Sequence, residues 1–576
     1  MGSRVTAGSR RAKKVLLCGV FGPFGVDDAW GRRENIMELF HNQVTRGQGV
    51  ASFRFHHRSF GLNFLAENVG ADVTVLDFPS RARFVRELRR GCDLVGISFI
   101  APNFAKAREM ARLVRVHAPG ATVVLGGHGA AIEGVERLID CDHVVRGEGV
   151  RALRRLLGED ADAPIHHPTL PSTERESILG VPLPGRCSSL LVPGLGCVNG
   201  CRFCSTSHFF GKEYTPYLRT GRELFETAAR IADARGTDTF FVMDENFLKD
   251  TRRALELLAE MERRRRWFRF QVFSSAEALL AFGLDNLVRL GVDFVWMGVE
   301  CKSRQANFAK NSGVEPGPLV REMRDRGISV LASGILCMEH HTPENMPEDI
   351  DHLVDLEADF VQFMLLTALP VTGLWRDQQA AGLLRDDLPW EEWHGQKELA
   401  WRHPHFPGDA ADRWMRRAFR QDYEVNSSSM YRVAETAFRG WQRLAATPGR
   451  DACLEARLGQ MRERAREYAV LLPEVARSAV NDLERERVAD LRLRIAGALG
   501  PPTLRERALD AAIRALAARW RWRVRLLGDA IQPKAIVTRY AGRTAAPAAA
   551  GRAQVHRAPH ARTREGSAMA IPGASR

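Results

Sequence analysis

Four short runs in the first 150 residues are apolar almost without interruption: 14–20 (KVLLCGV), 72–77 (DVTVLD), 93–100 (DLVGISFI) and 122–127 (TVVLGG). Such runs mark strands buried on both faces of a parallel sheet. Between the last two, Phe104, Ala107, Ala111 and Val114 recur at helical spacing until Pro119-Gly120 stops the helix. The alternation predicts a doubly wound α/β domain over residues 14–157. Sheets of this kind bind ligands beyond the carboxyl ends of their strands. Those ends are Ser98 and its loop, Gly126-Gly127-His128-Gly129 and Gly147-Glu148-Gly149. Glycine there lets a large flat or phosphorylated ligand approach the backbone. Gly19, Gly22 and Gly25 fall at three-residue intervals, which is not a dinucleotide fingerprint.

Residues 158–187 carry Pro164, Pro168, Pro171, Pro182 and Pro184 among Ser, Thr and Asp, and read as a linker. A second alternation follows over 188–375. Strand-like runs end near Leu195, Met243, Ser274, Glu300, Cys337 and Leu369, separated by helical stretches at 222–234, 251–265, 276–290 and 316–326. Six βα units predict a βα barrel, partial or whole, with its chemistry at the C-terminal mouth. From 376 to 540 the chain reads as mostly helical, and this region is expected to cover that mouth. Its last helix places Leu504, Ala508, Ala512, Leu516, Trp520, Val524 and Leu527 on one side and Arg507, Arg514 and Arg521 on another. A Trp/Arg amphipathic helix suits a membrane surface, and packing on the barrel with a solvated basic face suits it better. Residues 1–13 and 541–576 are expected to be disordered.

At 576 residues, 45% hydrophobic and 27% charged, the composition is that of a soluble multidomain protein. No apolar run is long enough to span a bilayer, and residues 1–14 lack a signal-peptide core, so a cytoplasmic location is expected. In a reducing compartment the ten cysteines read as thiols or metal ligands. The net charge of +13 suggests nucleic acid until its distribution is considered. Five net positive charges lie in residues 4–14 and five in residues 543–576, which leaves +3 for everything between. No nucleic-acid partner is expected.

Cys197, Cys201 and Cys204 stand at C-x3-C-x2-C on the loop after the first barrel strand, and so at its mouth. Thiolates select zinc or iron-sulfur centres, and both want four ligands. His208 would complete a Cys3His zinc set, as in a nucleic-acid-binding module. Structural zinc, however, staples modules that lack a core, and good βα pattern surrounds this loop. An iron-sulfur cluster with one iron left open to substrate explains more.

The motif, with Phe203 before its last cysteine, resembles that of the radical S-adenosylmethionine (SAM) enzymes. The resemblance implies a 4Fe-4S cluster on Cys197, Cys201 and Cys204, with the amino and carboxylate groups of SAM on the fourth iron. Reductive cleavage of SAM would then give a radical that abstracts hydrogen from carbon. Phe203 belongs to this SAM site by the same resemblance. Asp244-Glu245-Asn246, ending the second strand, matches the segment against the methionine moiety, and Glu300 matches the acidic residue on the ribose. The chain departs from the family at Cys301-Lys302-Ser303 and at Leu369-Pro370-Val371-Thr372-Gly373.

An α/β domain ahead of such a barrel resembles the cobalamin-dependent branch of the family. That implies a corrinoid over Ser98, Gly126, Gly127 and Gly149. The sequence has no D-x-H-x-x-G, so no histidine is assigned to cobalt, and His128 is expected to be a solvated loop residue as readily as a ligand. The expected activity is hydrogen abstraction from an unactivated carbon followed by methyl transfer. Cyclisation or rearrangement without methyl transfer is the alternative. The expected partners are a small-molecule substrate, hydrophobic or lipid if the last helix touches a bilayer, and an electron donor such as flavodoxin or ferredoxin.

Overall fold

In the computed structural model, residues 12–22, 47–49, 58–173, 177–178, 181–182, 187–302, 309–311, 313–527 and 536–542 are described. The expectations of disorder at both termini fall almost wholly outside them. The first alternation forms β1 (Lys14–Cys18), β2 (Asp72–Asp77), β3 (Leu94–Ser98), β4 (Thr122–Gly126) and β5 (His143–Val144). They lie parallel in the order β2-β1-β3-β4-β5, so the winding reverses between β1 and β3. Successive side chains serve opposite faces. Leu16, Val95, Ile97, Val123 and Leu125 pack with Phe84, Phe104 and Met110, while Val15, Leu17, Val73 and Val75 pack with Leu62, Leu153 and Leu157. That two-sided burial is why the runs are apolar throughout.

The second sheet begins where a linker was expected. β6 (Leu170–Thr173) pairs antiparallel with β9 (Ser188–Leu191), and between them β7 (Ser177–Ile178) and β8 (Val181–Pro182) form a small antiparallel pair. The prolines mislead because Pro171 sits on an edge strand, where no second neighbour needs its missing N–H. A short hairpin follows, β10 (Gly194–Gly196) with β11 (Tyr214–Pro216). Next come β12 (Thr239–Val242), β13 (Arg269–Phe273), β14 (Val292–Glu300), β15 (Ser329–Leu336) and β16 (Phe360–Leu365). The order is β6-β9-β12-β13-β14-β15-β16, with β9 and β12–β16 parallel. Because β6 and β16 are the two sheet edges, the barrel is partial.

The C-terminal helices contradict the expectation that they cover the mouth. Arg457 donates to Phe268 O at 2.7 Å, Arg464 to Gly327 O at 2.8 Å and Arg432 to Ala358 O at 2.7 Å. These carbonyls precede β13, β15 and β16, so the helices Ser429–Ala445 and Ala452–Ala469 close the amino end of the barrel. The mouth is reached instead by residues 381–403, which carry Trp390, Trp393 and Trp401. Glu391 in this segment accepts from Ala105 N–H of the N-terminal domain at 2.8 Å.

The last helix, Leu504–Leu527, packs on Leu472–Ser478 rather than on the barrel, with Ala517 buried and Arg521 paired with Glu474. Leu504, Ala508 and Ala512 of its predicted apolar stripe are exposed. Among the described residues no helix is long and apolar enough to cross a membrane. A further strand, Ile536–Tyr540, then returns to the first sheet and pairs antiparallel with β2. These residues were expected to belong to the helical region. Their sequence, IVTRY, is a strand pattern too short to register beside a 24-residue helix.

Candidate active site

The cysteine loop is held shut from inside. Gly196, at φ +89°, cannot be replaced, because an added Cβ would lie 2.1 Å from Glu213 O. The Ser207 hydroxyl donates to Cys197 O at 2.7 Å and accepts from Gly200 N–H at 3.1 Å. The Ser207 N–H reaches Cys204 Sγ at 3.5 Å. Sequence reasoning missed Ser207, although a serine three residues into a turn capped by Cys204 is a signal for such a latch. Outside the loop, Arg202 pairs with Asp377 at 2.6 Å and with Glu339, and its carbonyl accepts from Leu374 N–H at 3.0 Å. His208 turns back onto Cys204 O at 3.0 Å.

Burial pushes all three thiols up, Cys204 to about 11, and Lys310 pulls Cys201 part of the way back.

Of Asp244, Glu245 and Asn246, which lie beyond β12, two are turned into the scaffold. Asp244 Oδ2 accepts from Tyr214 Oη at 2.6 Å and from Arg253 Nη2 at 2.9 Å, all three being largely buried. Asn246 ties the loop to Ser275, donating to its hydroxyl at 2.8 Å and accepting from its N–H at 3.1 Å. Glu245 alone is exposed. Partial desolvation, with Asp244 beside it, pushes its carboxyl up, and a hydrogen bond from Thr206 offsets part of this. It also faces Cys197 and Cys204.

Glu300 is buried at φ +69°, past a register shift in β14. A side chain in that backbone region is strained and persists only where its surroundings fix it. Its carboxylate folds over Gly298, where an added Cβ would lie 2.5 Å from Glu300 Oε1, and pairs with Lys310. Burial alone would lower the Lys310 ammonium, but Glu300 and Cys201 hold it above its ordinary range. Lys310 also lies 5.9 Å over the Phe203 ring. Phe203, Glu300 and Cys201 therefore meet through a lysine that no pattern in the sequence announces.

The N-terminal sheet points its carboxyl ends at this loop. Ser98 and Gly126 are register partners across β3 and β4. Gly127, at φ +78°, lies so close to the loop after β3 that a Cβ would be 2.6 Å from Phe99 O, whereas Gly126 has open space above it. Gly149 stands apart, packed on Leu65 behind Glu148, whose carboxylate accepts from Tyr217 Oη of the barrel at 2.7 Å. His128 is not a solvated residue. Its ring lies 4.7 Å from that of Phe209 on the cysteine loop's helix, and Nε2 is buried without a hydrogen-bond partner among the described residues. Burial lowers its pKa and keeps it neutral.

Between the two halves lies a cavity of about 350 Å³. Ile100, Pro102 and His128 form its floor, Phe203, Thr206 and Phe209 one wall, and Met364, Leu366 and Trp393 the other. The domain description "B12 binding domain" matches residues 49–157, and "Radical SAM superfamily" matches 191–353. The chain carries a B12-binding domain followed by a radical SAM domain.

The chain is 25% identical over 259 residues to the hopanoid C-2 methylase of Rhodopseudomonas palustris, covering 42% of this chain and 49% of that one. It therefore spans about half the length of that relative. It is 23% identical over 335 residues to the bacteriochlorophyllide d C-8(2)-methyltransferase of Chlorobaculum tepidum, covering 52% and 71%. The solved structure of the radical SAM methyltransferase TsrM from Kitasatospora setae, with cobalamin and a [4Fe-4S] cluster bound, aligns over 79% of this chain and 99% of that one. Its TM-score is 0.51 at 19% identity, a likeness of fold.

Proposed function

We propose that this protein is a cobalamin-dependent radical SAM C-methyltransferase acting on an apolar small molecule. The observation that carries the reading is the shared cavity: the strand ends of the B12-binding domain and the cysteine loop open onto one chamber with mostly apolar walls. The residues fit the groups. Cys197, Cys201 and Cys204 would hold a 4Fe-4S cluster, with Glu245, Phe203 and Glu300 toward SAM. The open surface over Gly126, with Ser98, Gly127 and the orphaned His128 Nε2, would receive a corrinoid, whose rim of amides offers hydrogen bonds. When bound, these groups supply a hydrogen-abstracting radical and a transferable methyl group.

The chain's own contribution is placement and dryness. The Arg202 clamp fixes the cysteine loop against the helix Gly373–Ala380. Phe209 and His128 lock that loop to the opposite domain. The apolar walls exclude the water that would quench a carbon radical. An external one-electron donor of the flavodoxin or ferredoxin type is the partner this reading requires. The hopanoid and bacteriochlorophyllide relatives are consistent with a fused-ring or tetrapyrrole substrate.

The test is turnover of a panel of triterpenes and tetrapyrroles with SAM deuterated in its methyl group. Deuterium in the product, with 5'-deoxyadenosine formed alongside, supports methyl transfer. Substrate conversion that leaves all the label in methionine supports rearrangement instead.

A further inference from the structure

Behind the cavity wall, outside the cofactor stations, Cys301, His340 and Asp349 bring one ligand atom each to within 4.8 Å of the others. Cys301 follows Glu300 at the end of β14, His340 lies in the turn after β15, and Asp349 sits in the helix Met346–Val354. Cys301 and Asp349 are buried and His340 is half-buried, so this is not a cluster of exposed acids.

The surroundings orient the set. Asp349 Oδ1 accepts from Lys302 N–H at 2.9 Å and Oδ2 bonds to His341 Nε2 at 2.7 Å. His341 Nδ1 in turn accepts from Met338 N–H at 3.0 Å. Nε2 must then carry the proton and donate to the carboxylate, which holds Asp349 in place. The turn that presents His340 is pinned by Asn345, which donates to His340 O at 3.0 Å and accepts from Thr342 N–H at 2.8 Å. Ligands oriented by outer hydrogen bonds of this kind are the mark of metal sites.

We infer that Cys301, His340 and Asp349 bind a divalent zinc ion separate from the cysteine-loop centre. A thiolate, a neutral imidazole and a carboxylate are each ordinary zinc ligands. One thiolate and one carboxylate also balance the charge of the ion in a buried setting. Among the described residues the chain supplies three ligands, and the half-buried side at His340 leaves the fourth position to water. The ion would fasten the strained end of β14, and with it Glu300, to the turn after β15.

The test is zinc and iron analysis of untagged, full-length holoenzyme purified anaerobically, with X-ray absorption at the zinc edge. The expected result is about one zinc per chain, with one sulfur near 2.3 Å and the remaining ligands nitrogen or oxygen near 2.0–2.1 Å. Asp349→Asn and Cys301→Ser should each lower the zinc content about tenfold with iron retained, and Cys201→Ala should do the reverse. Wild-type protein that holds no zinc after exposure to a stoichiometric amount would overturn the assignment. So would a zinc shell of three sulfurs, which would put the ion on the cysteine loop. Failure of this site leaves iron and cobalt contents unmoved, so it is distinguishable from failure of the radical SAM reading.

Discussion

Cys204 and its neighbours show how much of a site is carried by residues that do not touch its ligand. The hydroxyl of Ser207 joins Cys197 O to Gly200 N–H, so Ser207→Ala strands two backbone groups in a largely buried loop. Loss of about 1–3 kcal/mol of stability is expected, read as a lowered denaturant midpoint, with iron content per chain reduced. Arg253 is the stronger case. It is buried against the Asp244 carboxylate and Tyr214 Oη, and Arg253→Met leaves that carboxylate buried without its cation. A cost of about 3–5 kcal/mol follows, and Asp244→Asn in the same chain should recover part of it. If Arg253→Met unfolds at the same denaturant concentration as wild type, the buried pair is not structural. At this scale the cysteines were legible because their spacing is a ligand pattern. Lys310 was not, because a lone lysine ten residues past Glu300 has no period, and only the folding of β14 brings it to Phe203.

Elements join through a few contacts that no local pattern predicts. Helix Ser429–Ala445 crosses the end of helix Pro316–Asp325 at a pair of glycines, where a Cβ on Gly440 would lie 2.2 Å from Gly327 Cα. Gly440→Ala must separate the two backbones, and a loss of about 1–3 kcal/mol is expected from overpacking, measurable as a lowered melting temperature.

The edge segment bearing β6 is anchored by His167, which accepts from Val192 N–H at 2.8 Å and shares a hydrogen bond with Pro168 O at 2.7 Å. The first bond makes Nε2 the acceptor, so the ring is neutral and Nδ1 donates. Burial pushes its pKa down to about 4. The unfolded chain therefore binds this proton more readily than the folded one. The stability contributed by His167 is complete above the unfolded value near 6.5 and is lost as pH falls toward 4, by about 3 kcal/mol at most. In His167→Leu that pH dependence should vanish from stability curves measured between pH 7 and 4, although the variant is less stable throughout. Proline counting read this segment as a linker, because it registers what a residue cannot do in a central strand and not what an edge strand permits.

For the whole molecule, period and order carried far. Two runs of alternating strands and helices were enough to expect a doubly wound sheet ahead of a barrel, and the parallel sheets follow from those apolar runs. What they could not carry was which end of the barrel the C-terminal helices close. That is decided by buried arginines reaching carbonyls at the amino ends of β13, β15 and β16, a long-range choice with no trace in helical periodicity. Closing that end leaves the mouth free to face the N-terminal sheet across the shared cavity. The return of residues 536–540 to β2 ties the two ends of the chain together on the same domain.

The central claim is that two cofactor stations face each other across one chamber, and metal and sulfide quantitation on anaerobically purified full-length protein tests it most directly. About four irons and four sulfides and about one cobalt per chain are expected, with Cys201→Ala losing the iron and keeping the cobalt. Zinc on the cysteine loop, with neither iron nor cobalt bound after reconstitution, would contradict it.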